Sequence, residues 1–176
     1  MFWRFILRPD VGPLVSLFAA TLSILFFALN FWFSRRMASR SLYLEAHKML
    51  FDIDRQMIAE PRLWAFYDDH PIRFDPAFDG SSVHLRAKLE AFAYLQLNMF
   101  EIVLVEVPKL TFRGKRSQSK VWHEFFYDTL SRSSLLCSIL ERPGIAKIYN
   151  AVLLKRYDEW KTKKAEAASA KSAPSR

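Results

Sequence analysis

The chain has few glycines, a single cysteine and no alternating strand pattern. Only 4 of its 176 residues are glycine, and Cys137 is its single cysteine. A lone thiol excludes an intramolecular disulfide framework. Strict two-residue alternation of apolar and polar side chains is absent, which argues against sheets. No Gly-rich phosphate loop, nucleophile elbow or metalloprotease signature occurs. The sequence therefore predicts an all-α fold without a recognisable catalytic motif.

Charged side chains are missing altogether from residues 11–33. A membrane-spanning helix needs roughly 20 mainly apolar residues, and this is the one run in the sequence that meets the requirement. The run ends in Phe31, Trp32 and Phe33 followed by Arg35 and Arg36, rather than in the small residues of a signal-peptidase site. We therefore expect an uncleaved N-terminal transmembrane helix.

Basic residues around this run predict its orientation. Arg4 and Arg8 precede it, and four bases follow it: Arg35, Arg36, Arg40 and Lys48. Cytoplasmic flanks of membrane helices are enriched in Lys and Arg. The bias predicts a single-pass protein with its C-terminal domain in the cytoplasm.

Small and polar residues form a ridge along the predicted membrane helix. Gly12, Ser16 and Ala20 stand four residues apart, with Ser23 and Asn30 further along. Small residues at this spacing let two helices approach closely in lipid, and an Asn can add an interhelical hydrogen bond. We expect this ridge to pack against an integral membrane partner or a second copy of the chain.

The net charge of +8 is distributed unevenly along the chain, because the basic residues are clustered. One cluster follows the membrane run, and the other lies within 109–120, which contains no acid. Basic clusters beside a bilayer are drawn to anionic headgroups, so we expect lipid contacts from Arg35, Arg36, Arg40, Arg113, Lys115 and Arg116. The alternative for the second cluster is a solvated loop. No nucleic-acid-binding motif accompanies the charge, so nucleic acid is not an expected partner.

Helical periodicity follows the membrane run and predicts three regions. Residues 1–34 hold the N-terminal segment and membrane helix, 35–163 a helical bundle, and 164–176 a disordered basic tail. The membrane helix is expected to continue to residue 59, where Glu60-Pro61 stops it. The apolar face predicted for its second half consists of Leu42, Ala46, Met49, Leu50, Ile53, Met57 and Ile58. Further helices are predicted over 61–67, 83–107, 121–130, 135–140 and 143–163, with Pro108 ending the long one. The expected core residues are Phe66, Phe92, Phe100, Trp122, Phe125, Tyr149 and Leu153.

The histidines and acidic residues give only weak indications of a metal site. His70 follows Asp68 and Asp69 in a loop and is the best metal candidate, but such a loop is also typical of a turn and helix cap. His47 and His123 lack a partner at metal-binding spacing. We expect no metal and no cofactor.

Several short segments carry a family resemblance. They are residues 49–55, 60–64, 95–101, 122–126 and 133–136. Together these resemble a broad group of small bacterial membrane-anchored helical proteins. The resemblance implies a helical bundle in the cytoplasmic membrane of a bacterium, and it implies no reaction or ligand.

Three functions are compatible with these features. The first is a non-enzymatic accessory, assembly or scaffold subunit of a larger membrane complex, acting through helix contacts. The second is a membrane-tethered sensory domain that binds a ligand in a deep apolar pocket within the bundle. The third is an enzyme, which would require His70, His123 and Asp68 to converge in three dimensions. The sequence favours the first.

Overall fold

The computed structural model describes the backbone of residues 12–110 and 116–172, and the side chains of residues 12–108 and 120–170. Within these residues every regular element is helical and no strand occurs, which confirms the predicted all-α class. A long N-terminal apolar helix leads into a helical bundle.

Helix α1 spans Gly12–Ala59, so the apolar run and the first bundle helix are one continuous element. No Gly or Pro interrupts residues 14–59, and this continuity was expected. Its first half is exposed, and its second half packs on the bundle through Ala46, Ile53 and Met57. Ile58 was expected on that packed face but is 77% exposed, because it points away from the bundle.

A compact corner follows α1. The helix ends at Ala59 as predicted, and a 3₁₀ helix occupies Pro61–Phe66, with Pro in its first turn where a missing N–H costs nothing. A second 3₁₀ helix covers Pro71–Phe74. These two short elements reverse the chain direction before the next long helix.

Helix α2 spans Val83–Glu101, and its first turn is capped by Ser82, whose hydroxyl accepts from the Leu85 N–H at 3.5 Å. A π-helical turn over Ile102–Glu106 then leads into α3, Val107–Leu110. Pro108 was predicted to end the long helix, and this prediction is wrong. The wider π turn, in which the Val107 N–H reaches the Ile102 carbonyl, changes the helix pitch just where proline would otherwise clash with the preceding turn.

Helices α4 (Arg116–Arg132) and α5 (Ser134–Leu140) are separated by Ser133. A break over residues 131–134 was predicted, and the structure confines it to this serine. Its hydroxyl accepts from the Leu136 N–H at 3.3 Å and so caps α5.

Helix α6 spans Ala151–Ser172. It was predicted to start at Pro143, but Gly144 adopts φ +88 and the chain makes a turn and a 3₁₀ helix over Ile145–Lys147 first. A disordered tail was predicted from residue 164, whereas the helix continues through Ser172. The Ala, Lys and Glu residues in this stretch are strong helix formers, which explains the continuation.

The core lies between the second half of α1 and helices α2, α4, α5 and α6. Six of the seven predicted core residues are buried, and Phe125 is half-buried. Phe100 and Phe126 form its centre with ring centroids 4.9 Å apart. The bundle therefore has one continuous apolar core.

Helix directions define two ends of the bundle. Lys88 near the start of α2 binds Glu60 just beyond α1 at 2.7 Å, so α2 begins at the far end and runs back along α1. Trp122 near the start of α4 packs against Tyr43, with centroids 6.4 Å apart. The start of α4 therefore lies at the end of the bundle nearest the apolar run, which we call the anchor end.

Candidate membrane anchor and adjoining sites

The first half of α1 has the dimensions of a membrane span. Residues 12–33 are exposed and uncharged, and at about 1.5 Å per residue they extend roughly 33 Å, against about 30 Å of hydrocarbon. Within the described ranges, α1 is the one helix long and apolar enough to cross a membrane. The structure is thus compatible with a single-pass membrane protein.

Hydroxyl groups in this segment are satisfied within the helix itself. The Ser16 hydroxyl donates to the Gly12 carbonyl at 2.9 Å, and the Ser23 hydroxyl donates to the Ala19 carbonyl at 2.9 Å. A hydroxyl bonded in this way avoids the cost of an unpaired polar group in lipid. Gly12, Ser16 and Ala20 therefore present a small, internally satisfied surface, as their spacing predicts.

Basic and aromatic side chains follow the apolar segment. The Arg35 guanidinium lies 5.7 Å from the Phe31 ring centroid, and that of Arg36 lies 5.3 Å from the Trp32 ring. Aromatic rings favour the headgroup layer, and arginines there meet lipid phosphates. Arg40 is exposed one turn further along.

The second predicted lipid-contacting cluster lies mostly outside the described residues. Arg113 and Lys115 are not among them, and for Arg116 the structure describes the backbone alone, as the first residue of α4. Of the neighbouring elements, α4 begins at the anchor end, where Trp122 packs against Tyr43.

The candidate metal loop is a structural corner at the far end. His70 Nδ1 accepts from the Ile72 N–H at 3.2 Å, and its ring stacks on Trp64 at 5.0 Å. Asp69 accepts from the Arg132 guanidinium at 3.0 Å. Among the residues described, no group of three or more His, Cys, Asp or Glu side chains is arranged to hold a metal ion. The loop residues instead cap and pair with neighbouring elements.

His123 lies apart from that corner. It precedes Arg132 by nine residues on α4, or about 13 Å along the helix axis. Burial lowers the pKa of its imidazole, and the nearby Arg156 acts in the same direction. Its Nδ1 is buried without a hydrogen-bond partner in the described structure. The convergence of His70, His123 and Asp68 that the enzyme hypothesis requires does not occur.

Cys137 is half-buried in α5, and its thiol donates to the Leu130 carbonyl at 3.4 Å. Burial raises the pKa of this thiol. A thiol with a raised pKa carries little thiolate near neutral pH, so the environment does not activate Cys137 as a nucleophile.

Two shallow grooves lie on the surface of the bundle. One, of about 460 Å³, lies between the end of α1 and α2 and is lined by Gln56, Leu63, Lys88 and Phe92 among others. The other, of about 540 Å³, lies beside α5 and α6. Its polar groups are bonded to one another, as when Tyr157 donates to Glu141 at 2.9 Å. Neither groove is the deep apolar pocket that a sensory ligand domain would be expected to have.

A feature that sequence reasoning overlooked lies on the second half of α1. Four large apolar residues of this helix beyond residue 33 are exposed, and they recur every seven positions. We call them the outer stripe, which consists of Met37, Leu44, Phe51 and Ile58. Their exposed fractions are 49%, 62%, 72% and 77%. The seven-residue spacing is visible in the sequence and could have revealed the stripe.

The fold and these surfaces define an all-α protein with one N-terminal helix able to cross a membrane. No protein-family model, curated protein or solved structure matches the chain.

Proposed function

We propose that the chain is a single-pass protein of a bacterial cytoplasmic membrane. In this proposal residues 12–33 span the bilayer, and the helical bundle serves as an accessory, assembly or scaffold subunit of a larger membrane complex. The observation that carries the proposal is the continuity of α1. One uninterrupted helix provides both the exposed apolar segment and the packed Ala46, Ile53 and Met57.

This continuity gives the bundle a defined position. A flexible linker would let a tethered domain move freely, whereas a continuous helix holds the domain at a set distance and rotation relative to the membrane. Positioning of this kind suits a subunit that must present a surface to neighbouring membrane proteins. The small ridge of Gly12, Ser16 and Ala20 supplies a contact inside the bilayer.

The proposed orientation places the bundle in the cytoplasm, with Arg35, Arg36 and Arg40 at anionic headgroups. Protease treatment of spheroplasts and of inverted membrane vesicles tests it. We expect the bundle to be degraded in inverted vesicles and protected in spheroplasts. Degradation in spheroplasts would reverse the orientation.

The central test is to extract the tagged protein from its native membrane in mild detergent, size the particle and identify its chains. Other proteins present in a fixed ratio would support the subunit proposal, and a particle containing this chain alone would overturn it. The ridge is tested by Ser16→Ile combined with Ala20→Ile, which should release the chain that packs on it, whether that chain is another protein or a second copy. The matched control is Phe18→Ile with Leu22→Ile, because these residues have the same spacing on another part of the helix and stay apolar. Equal retention in both variants would remove the ridge as the contact.

A further inference from the structure

The outer stripe is a solvent-exposed apolar seam without an occupant in the described structure. It runs along α1 on the side away from the bundle. The buried residues Ala46 and Ile53 each follow a stripe residue by two positions, which places them about 200° around the helix from the stripe. A partner could therefore lie along the stripe without displacing the bundle. Apolar side chains that recur every seven residues on one side of a helix favour contact with a second helix.

Lipid cannot cover the whole stripe. Ile58 follows Phe33 by 25 residues, which is about 38 Å along a continuous helix. The far half of the stripe therefore stands well outside any bilayer that residues 12–33 span. A protein surface in water has to cover Phe51 and Ile58.

The same seam continues into the proposed membrane segment. Counting back in steps of seven from Met37 gives Asn30, Ser23 and Ser16, three of the predicted helix-packing residues. Small and polar side chains suit a helix contact in lipid, and large apolar ones suit a helix contact in water. The residue type at this heptad position thus changes from small or polar to apolar where the helix leaves the proposed span.

We propose that the occupant of the stripe is α1 of a second copy of this chain, packed in parallel and in register along this single seam from Ser16 to Ile58. The parallel arrangement rests on the proposed membrane span, since two copies inserted by the same signals have the same orientation. An in-register pair stacks each seam residue on itself. A strict seven-residue repeat drifts by about 20° per heptad on a straight helix, so the two helices supertwist to keep the seam closed.

Charges beside the stripe fit a second copy. Relative to Phe51, Asp54 lies about 60° to one side and Arg55 about 40° to the other. In a parallel two-fold pair, opposite flanks of the two helices meet at nearly the same height, so Arg55 faces Asp54 of the second copy. Neither residue belongs to an ion pair in the described chain. The same geometry beside Leu44 places Lys48 opposite His47 of the second copy, and beside Met37 it places Ser41 opposite Arg40 of the second copy. None of these facing pairs combines two formal charges of the same sign at neutral pH.

In this arrangement the Asn30 side chains of the two copies lie opposite each other. Its exposed side-chain amide makes no hydrogen bond to a described residue, and an unpaired amide is costly in or near hydrocarbon. In the parallel pair the two Asn30 amides meet at the seam and can bond to each other. A single polar Asn at such a position also fixes register and the number of strands.

Disulfide trapping of the full chain in its native membrane tests the proposal. On a Cys137→Ser background, Leu44→Cys and Phe51→Cys place thiols on the stripe, and Glu45→Cys and Asp52→Cys place exposed thiols about 100° away. Mild oxidation should link the first two variants into a product of twice the 20.7 kDa chain mass, with at least tenfold less product from the controls. Equal yields, absence of product from both stripe variants, or a product containing a different chain would overturn the proposal.

A second variant removes the apolar contact. Leu44→Glu combined with Phe51→Glu should raise the dissociation constant of the pair at least tenfold in detergent, with unchanged helical content, because both residues are exposed in the single chain. An unchanged constant would contradict the proposal. The self-association proposal and the proposed function can fail separately. Carbonate extraction tests the membrane span and co-purified chains test the subunit role, whereas disulfide trapping reports self-association alone.

Discussion

The carboxylate of Asp68 caps α5 through Ser134, a residue 66 positions later in the chain. It accepts from the Ser134 backbone N–H at 2.6 Å and from the Ser134 hydroxyl at 3.0 Å. The same carboxylate lies 2.8 Å from the Arg73 guanidinium. A helix N-terminus leaves backbone N–H groups unpaired and favours negative charge, so one side chain ties the far-end corner to α5.

We predict that Asp68→Ala lowers the free energy of unfolding by about 1–2 kcal/mol, the usual cost of losing a cap with its charge-assisted bonds. Thermal unfolding in mild detergent, followed by near-ultraviolet circular dichroism, measures the change. Asp69→Ala is the control, because its ion pair with Arg132 is exposed and such pairs contribute about 0–1 kcal/mol. Equal loss in the two variants would show that capping by Asp68 is not the dominant effect.

The aromatic centre of the bundle gives a larger expected effect. Phe126 is 0% exposed and packs on Phe100. Phe126→Ala should cost about 3–5 kcal/mol, since it removes buried apolar contacts and leaves a cavity. Phe74→Ala, at a position 76% exposed, should change stability by no more than about 0.5 kcal/mol. Both are measured in the same unfolding experiment, and a loss below about 1 kcal/mol for Phe126→Ala would mean that the site collapses around the cavity.

Helix existence was predictable because the apolar periodicity is strong and the breakers are few. The helix starts near residues 83 and 135 were predicted correctly, since the hydroxyls of Ser82 and Ser133 that cap these helices act locally. Pro108 and Pro143 misled because the outcome at a proline depends on neighbouring elements: a π turn accommodates the first, and a turn at Gly144 delays the helix after the second. Sequence rules for proline do not include the packing of neighbouring elements, so they could not predict either outcome.

The surfaces were harder to predict for a related reason. The second half of α1 carries apolar residues on two sides, and periodicity alone does not say which side the bundle covers. Ile53 is buried, whereas Phe51 and Ile58 are exposed. The predicted face included Ile58 and omitted Phe51 and Leu44. The corner of Asp68 and His70 was likewise ambiguous from sequence, because capping and metal binding use the same side chains.

His123 predicts a pH dependence of stability. Burial lowers the pKa of its imidazole below the ordinary value of 6.5, with Arg156 and Lys163 adding to the shift and Glu159 opposing it. Below that value the unfolded chain binds a proton that the folded protein does not, so the free energy of unfolding falls as the pH falls. This contribution is fully present above pH 6.5 and is lost as the pH drops through the lowered pKa.

His123→Leu removes the titrating group and the unpaired buried Nδ1. We expect the loss of stability between about pH 7 and 5 to become smaller in this variant. Unfolding in mild detergent at a series of pH values provides the measurement. The control variant is His84→Leu, which replaces an exposed imidazole on α2. A profile of His123→Leu that matches the unmodified protein would rule out His123 as its source.

The continuity of α1 makes the rotation of the outer stripe depend on the number of residues before it. Two alanines inserted after Arg36 rotate Leu44 by about 200° relative to Ser23 and Asn30, whereas seven inserted alanines restore the phase to within about 20°. We expect disulfide trapping at Leu44→Cys to fail with the two-residue insertion and to persist with the seven-residue one. Alanine keeps the helix intact in both variants. The longer insertion moves the stripe further from the membrane, so a loss confined to the two-residue insertion reports rotation and not length. Equal trapping in the two insertions would mean that the helix does not transmit rotation from the membrane segment to the bundle.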